Sequence, residues 1–252
     1  MKPSGNTVLI TGGATGIGLA LARKLIGANN IVIICGRRQS ALDAAAAALP
    51  GLVTIQADIS DSVSRAALAA DVTARFPKLN VLINNAGHSR TTGIDDPDFL
   101  KTLELEIAVN FFGPVSLSIL LLPVLRRQSE ATIANVTTGY VYVSSARMAP
   151  YSATKTALHS MTQTMRYMLR DTNVRMVEII PGAHDTDMSS HVKGKKETTE
   201  NAANTIMRRL AANVPEFLVG IPGVMLFAAR LTPNFLFKSL NDGEAKAAEV
   251  RL

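Results

Sequence analysis

A chain of 252 residues with 47% hydrophobic and 18% charged side chains has an ordinary globular composition, long enough for one large α/β core. Its single cysteine, Cys35, excludes an internal disulfide framework, and its formal charge of +6 accompanies no recognisable nucleic-acid module. The opening apolar run is too brief for a signal peptide. Phe217 to Leu231 is too short and too interrupted (Gly220, Pro222, Gly223, Arg230) to cross a bilayer, so a cytoplasmic chain without a transmembrane segment is expected.

In chain order, Val8–Ile10 predicts a strand and Gly16–Ala28 a helix with Leu19, Ala22 and Ile26 on one side. A strand at Ile31–Cys35, a helix around Ser40–Leu49, a strand at Val53–Gln56 and a helix from about Asp61 to Arg75 follow. Next come a strand at Val81–Ile83, one long helix over Leu100–Arg126 and a strand at Thr132–Val136. A helix from Tyr151 to Arg170, a strand at Val174–Ile180, a helical stretch near Thr199–Asn213 and a late strand at Phe217–Val219 complete the set. Alternating strands and helices imply a doubly wound α/β fold, a parallel sheet covered on both faces. No linker divides it, so a single domain spanning 1–252 is expected.

The first strand ends in Thr11-Gly12-Gly13-Ala14-Thr15-Gly16-Ile17-Gly18. Glycines between a first strand and first helix permit a tight turn, close approach to a pyrophosphate, and binding of phosphate at the helix N-terminus. A dinucleotide site that prefers NAD carries an acid about 20 residues further on. Here the second strand ends Cys35-Gly36-Arg37-Arg38, and guanidinium groups suit a 2′-phosphate, so NADP(H) is the expected cofactor. Cys35 itself sits in an apolar run and is expected to pack rather than react.

Tyr151 and Lys155 lie four apart just after Pro150, on one face of a helix's first turns. Together with the glycine turn, Asp58, Asn84-Asn85-Ala86-Gly87, Asn110 and the Pro181-Gly182-Ala183-His184-Asp185-Thr186 loop, they make the chain resemble the short-chain dehydrogenase/reductase family over nearly its whole length. The Val136-Thr137-Thr138-Gly139 stretch and the carboxyl-terminal end look most like its DltE-like subgroup, a label that settles no substrate.

The resemblance implies hydride transfer between a nicotinamide cofactor and a ketone, aldehyde or alcohol. Tyr151 would be the general acid/base. Lys155 would lower its pKa and bind ribose, and Asn110 would support a water-borne proton relay. Thr138 stands where the family usually has serine, and its hydroxyl would polarise the carbonyl. Ser144 and Ser145 lie too close to Tyr151 to take that place. Gly12, Thr15, Gly16, Ile17 and Gly18 would hold the pyrophosphate, and Arg37 and Arg38 the 2′-phosphate. Asp58 and Ile59 would flank the adenine, and Asn85, Ala86 and Gly87 the adenosine ribose. Pro181, Gly182 and Thr186 would meet the nicotinamide. A homodimer or homotetramer is implied as well. Two rival readings are a cofactor-binding sensor with little turnover and an NAD-preferring alcohol dehydrogenase.

His88, His159, His184 and His191 show no metal-ligand spacing, so no metal is expected, although His88 is a candidate neighbour of the substrate. Met161, Met165 and Met168 recur at helical spacing, as core or subunit contacts do. The run His191–Lys196 introduces an expected substrate lid at about 188–214. The apolar segment at about 217–240 is expected to cover the pocket, pair subunits or touch a membrane. Asn241–Leu252 reads as polar and loosely ordered. Arg90, Met148 and Met188 are expected near the pocket.

Overall fold

Among the described residues, seven short strands pair side by side in one all-parallel sheet: β1 (Thr7–Thr11), β2 (Ile31–Gly36), β3 (Val53–Gln56), β4 (Leu79–Asn84), β5 (Ala131–Val136), β6 (Val174–Pro181) and β7 (Glu216–Val219). Their spatial order is β3-β2-β1-β4-β5-β6-β7. The computed structural model describes residues 1–186 and 196–249. The connecting helices are α1 (Gly16–Gly27), α2 (Gln39–Ala48), α3 (Ser62–Arg75), α4 (Phe99–Ile107), α5 (Gly113–Arg126), α6 (Ala149–Met168), α7 (Thr199–Ala211), α8 (Val224–Leu231) and α9 (Pro233–Glu249).

The strands alternate their side chains between two apolar layers. Val8 and Ile10 of β1 join Leu21 and Leu25 of α1 and Ile206 of α7, whereas Leu9 joins Leu68 of α3 and Leu117 and Leu121 of α5. Both faces of the sheet are therefore dry, which is why its strands read as unbroken apolar runs. The strand order reverses direction between β1 and β4, where the loops leaving the two strands part and open a crevice at the sheet's carboxyl edge.

Element types follow the sequence closely, and Asp61 caps α3 by accepting a bond from the Ser64 N–H at 2.7 Å. The long helix differs. Residues Ala108–Phe112 form a wider π turn between α4 and α5, and this turn carries Asn110. Among the described residues, the run Phe99–Arg126 is the one helix long and apolar enough to cross a membrane. It buries Leu117, Leu121, Val124 and Leu125 against the sheet and carries the buried polar residues Thr102, Glu106 and Asn110, so its apolarity serves the core.

The structure bears on three expectations. The lid expected at 188–214 lies partly in 188–195, outside the described residues, and its second half is α7. That helix buries Ala202, Ala203, Ile206 and Leu210 and so belongs to a core layer. Asn241–Leu252, read as loosely ordered, is helical through residue 249, because Asn241 and Glu244 bond to the β5–α6 connection. The methionines divide: Met165 packs on the core and Met168 is exposed.

Candidate active site

Tight backbone approach defines one end of the site. Gly12 has φ +63°, and a Cβ there would lie 2.8 Å from the Ala86 Cα; a Cβ on Gly18 would lie 2.5 Å from the Gly12 oxygen. The turn is tied across the strand-order reversal. Asn85 Nδ2 donates to the carbonyls of Thr11 (3.1 Å) and Gly12 (3.0 Å), and the Thr11 hydroxyl oxygen accepts from the N–H groups of Asn85 and Ala86. Thr15, Gly16 and Ile17 at the start of α1 line a cavity of about 1040 Å³, the volume of a sizeable ligand site. Thr186 comes over this turn: a Cβ on Gly16 would lie 3.2 Å from its Cγ2.

The same cavity is lined by Arg37, Arg38, Asp58, Ile59, Asn85, Ala86, Gly87, Pro181 and Gly182. Arg37 and Arg38 are exposed at the end of β2, and no acid accompanies them there. A cradle that excludes side chains, set at a helix N-terminus, fits the pyrophosphate of a nicotinamide dinucleotide. Cys35 also borders the cavity, but burial pushes its thiol up to about 12, which leaves it an unreactive thiol.

Further along the cavity stand Thr138, Tyr151 and Lys155. Pro150 sits in the first turn of α6, where its fixed φ suits a helix start, and the helix carries Tyr151 and Lys155 inward on one buried face. Lys155 Nζ donates to the Val136 carbonyl at 2.8 Å and lies 5.9 Å from the Tyr151 ring centre. Burial lowers the Lys155 ammonium to about 8, against the opposing pull of the buried Glu106 and Glu178 carboxylates. Tyr151 moves the other way: burial raises its phenol above the usual range, opposed by a hydrogen bond with Thr138. Desolvation dominates, and the chain by itself holds Tyr151 protonated.

Thr138 sits in extended backbone (φ −166°) at the start of the β5–α6 connection, hydrogen-bonded to Tyr151. Ser145 is turned elsewhere, donating to Glu244 Oε2 at 2.5 Å. Asn110 does not line the cavity; its side chain accepts from the His88 N–H at 2.9 Å and donates to the His88 carbonyl (2.8 Å) and the Thr154 hydroxyl (3.1 Å). It thus braces the β4 loop against α6 beside Lys155. Of the residues expected near the pocket, Met148 lines it, Met188 lies outside the described residues, and Arg90 instead faces Asp96 and Asp98. His88 is 3.5 Å from Glu106 and is not a lining residue, whereas Ser89 is.

Several contributors have no local signal in the sequence. Arg23, seven residues beyond Gly16 on α1, lines the cavity; that helical spacing was its only clue. Ile221, Pro222 and Leu240 of the carboxyl-terminal segment line the cavity, while Val224, Phe227, Leu231 and Phe235 are exposed. His159, one turn beyond Lys155, meets both oxygens of the buried Glu178 at 2.9 Å, and Glu178 also accepts from Thr137 at 2.7 Å. The hydrogen bond to Glu178 raises the His159 pKa. Glu216 joins this pair within 4.8 Å, a grouping invisible in chain spacing. Tyr142 and Arg166 already engage Glu216, so the group stands as a satisfied polar network.

The described geometry is that of a dinucleotide-binding oxidoreductase fold. The model of the short chain dehydrogenase family matches residues 6–197, and the chain belongs to this family of oxidoreductases. It is 44% identical over 205 residues, 79% of each chain, to a Bacillus subtilis (strain 168) protein named uncharacterized oxidoreductase DltE. It is 26% identical over 255 residues to dehydrogenase/reductase SDR family member 7B of Mus musculus, covering 92% of this chain and 79% of that one. A short chain dehydrogenase from Burkholderia cenocepacia J2315, solved in complex with NADP, superposes with TM-score 0.85 at 26% identity, over 95% of this chain and 99% of that one. A Burkholderia phymatum short chain dehydrogenase/reductase, solved with NAD, shares the fold at TM-score 0.83 and 21% identity, over 96% and 97% of the two chains.

Proposed function

We propose that this chain is an NADP(H)-dependent oxidoreductase that interconverts a ketone or aldehyde and an alcohol. The observation that carries the reading is the placement of Thr138, Tyr151 and Lys155 along the same cavity as the glycine turn. The nicotinamide, when bound, supplies or takes the hydride. The neutral, buried Tyr151 phenol is the form that donates a proton to a carbonyl oxygen as it gains negative charge, and the Thr138 hydroxyl supplies a second donor. Lys155 gives one N–H to the Val136 carbonyl, leaving two for the ribose hydroxyls. Asn110 serves as a positioning residue that keeps α6 in register with the β4 loop. The preference for NADP(H) rests on Arg37 and Arg38 and is supported by the NADP-bound relative from Burkholderia cenocepacia.

The test is oxidation of NADPH and of NADH by the purified protein against a broad panel of aldehydes and ketones. The proposal expects turnover that is faster with NADPH. Tight NADPH binding with no consumption across the panel would favour the sensor reading instead.

A further inference from the structure

The cavity lining differs in composition from element to element. Among the described residues, the β5–α6 connection, the β7–α8 turn and α9 line it with Tyr140, Tyr142, Val143, Met148, Ile221, Pro222 and Leu240, beside glycines and the threonines at the end of β5. The charged side chains that line the same cavity, Arg23, Arg37, Arg38, Asp58, Lys155, Asp185 and Glu200, come from other loops or from α1, α6 and α7. Among the described residues, the β5–α6 connection, the β7–α8 turn and α9 contribute no charged lining residue.

This wall is held from a distance. Glu244 on α9 accepts from the Ser145 hydroxyl at 2.5 Å and from the Tyr140 hydroxyl at 3.2 Å. Asn241, one turn earlier, accepts from the Ala146 N–H at 2.6 Å and donates to the Ser144 carbonyl at 3.2 Å. Tyr140 in turn stands edge-on to Tyr151, ring centres 6.4 Å apart. Ile221 closes the other side: a Cβ on Gly139 would come 2.8 Å from its Cδ1, and one on Gly182 would come 2.9 Å from its Cγ1. The Glu244 charge is thus spent on two hydroxyls and does not line the cavity.

Resting on the proposed function, we infer that the substrate is an apolar, uncharged carbonyl compound, selected by a wall of Tyr140, Ile221 and Leu240. Glu244 acts as the positioning residue that fixes Tyr140. An apolar wall without a charged partner stabilises each added methylene and penalises a charged end that would lose its water.

The experiment compares straight-chain aldehydes and methyl ketones of increasing length with analogues carrying a terminal carboxylate. NADPH-dependent kcat/KM is measured, together with equilibrium binding of the same ketones to the protein loaded with NADP+, a complex that cannot reduce them. Both quantities should rise about fourfold per methylene until the wall is covered, and the carboxylate should lower them by more than tenfold. The Glu244→Ala variant should flatten the length dependence by raising KM for the longest compounds rather than lowering kcat, and Glu244→Gln should restore most of it. Flat length dependence in both measurements, or equal use of the carboxylate series, overturns the inference while leaving reductase activity standing. Length-dependent binding without any turnover overturns the proposed reaction and leaves the binding wall standing.

Discussion

The two ends of the cavity are built by different means. At the glycine turn, backbone geometry does the work: Gly12 and Gly18 lie where a Cβ would strike the chain, and Asn85 ties β1 to β4 with two short bonds. At the far end, side chains about a hundred residues apart meet, as Glu244 meets Ser145 and Tyr140. The first kind of site tolerates few sequences and suits a constant ligand. The second depends on which side chains happen to cover the mouth, so it is where the substrate is chosen.

Substitutions that separate the ends probe this contrast. Thr138→Ala should lower kcat by about 10²–10³-fold, the usual loss for one donor to a developing oxyanion, with NADPH affinity unchanged. A parallel loss of NADPH binding, read by fluorescence titration, would mean that Thr138 belongs to the cofactor end. Thr138→Ser should retain most of the rate.

Lys155 serves both ends, and its burial makes a pH prediction. Its folded pKa is about 8, against 10.5 for the free side chain, so between these values the unfolded chain binds more protons and this residue's contribution to stability rises with pH. Lys155→Met removes that dependence. The stability difference between variant and parent in the cofactor-free protein should therefore change by up to about 3 kcal/mol between pH 7 and pH 10, in the parent's favour. A difference that stays flat across this range in thermal unfolding would mean that Lys155 titrates normally.

Arg37→Ala should have the smallest effect, about tenfold weaker NADPH binding with NADH little changed, because Arg37 is exposed and Arg38 stands beside it. Equal weakening of both cofactors would remove the 2′-phosphate role.

The same contrast explains what could be read in advance. Strands such as Ile31–Gly36 and helices such as Ser62–Arg75 follow from local pattern, and the glycine turn and the Tyr151–Lys155 pair are each confined to a few consecutive residues. Asn110 was visible as a residue, but the π turn that carries it and its two hydrogen bonds to the His88 backbone depend on α4 meeting the β4 loop. Asn241 and Glu244 look like ordinary solvated positions in a polar tail. Only when α9 reaches the β5–α6 connection do they become anchors. Glu178 and His159 likewise gain their partnership from the pairing of β6 beneath α6. The depth of burial that raises the Tyr151 phenol in the cofactor-free chain is a further case, since it depends on packing that no local pattern carries.

The most direct test of the central assignment is Tyr151→Phe, assayed with a substrate found in the carbonyl panel. The phenol is the proton donor in this account, so turnover should fall about a thousandfold while NADPH binds within about twofold of the parent. A variant that keeps a tenth or more of the parent's turnover would show that the proton comes from another group.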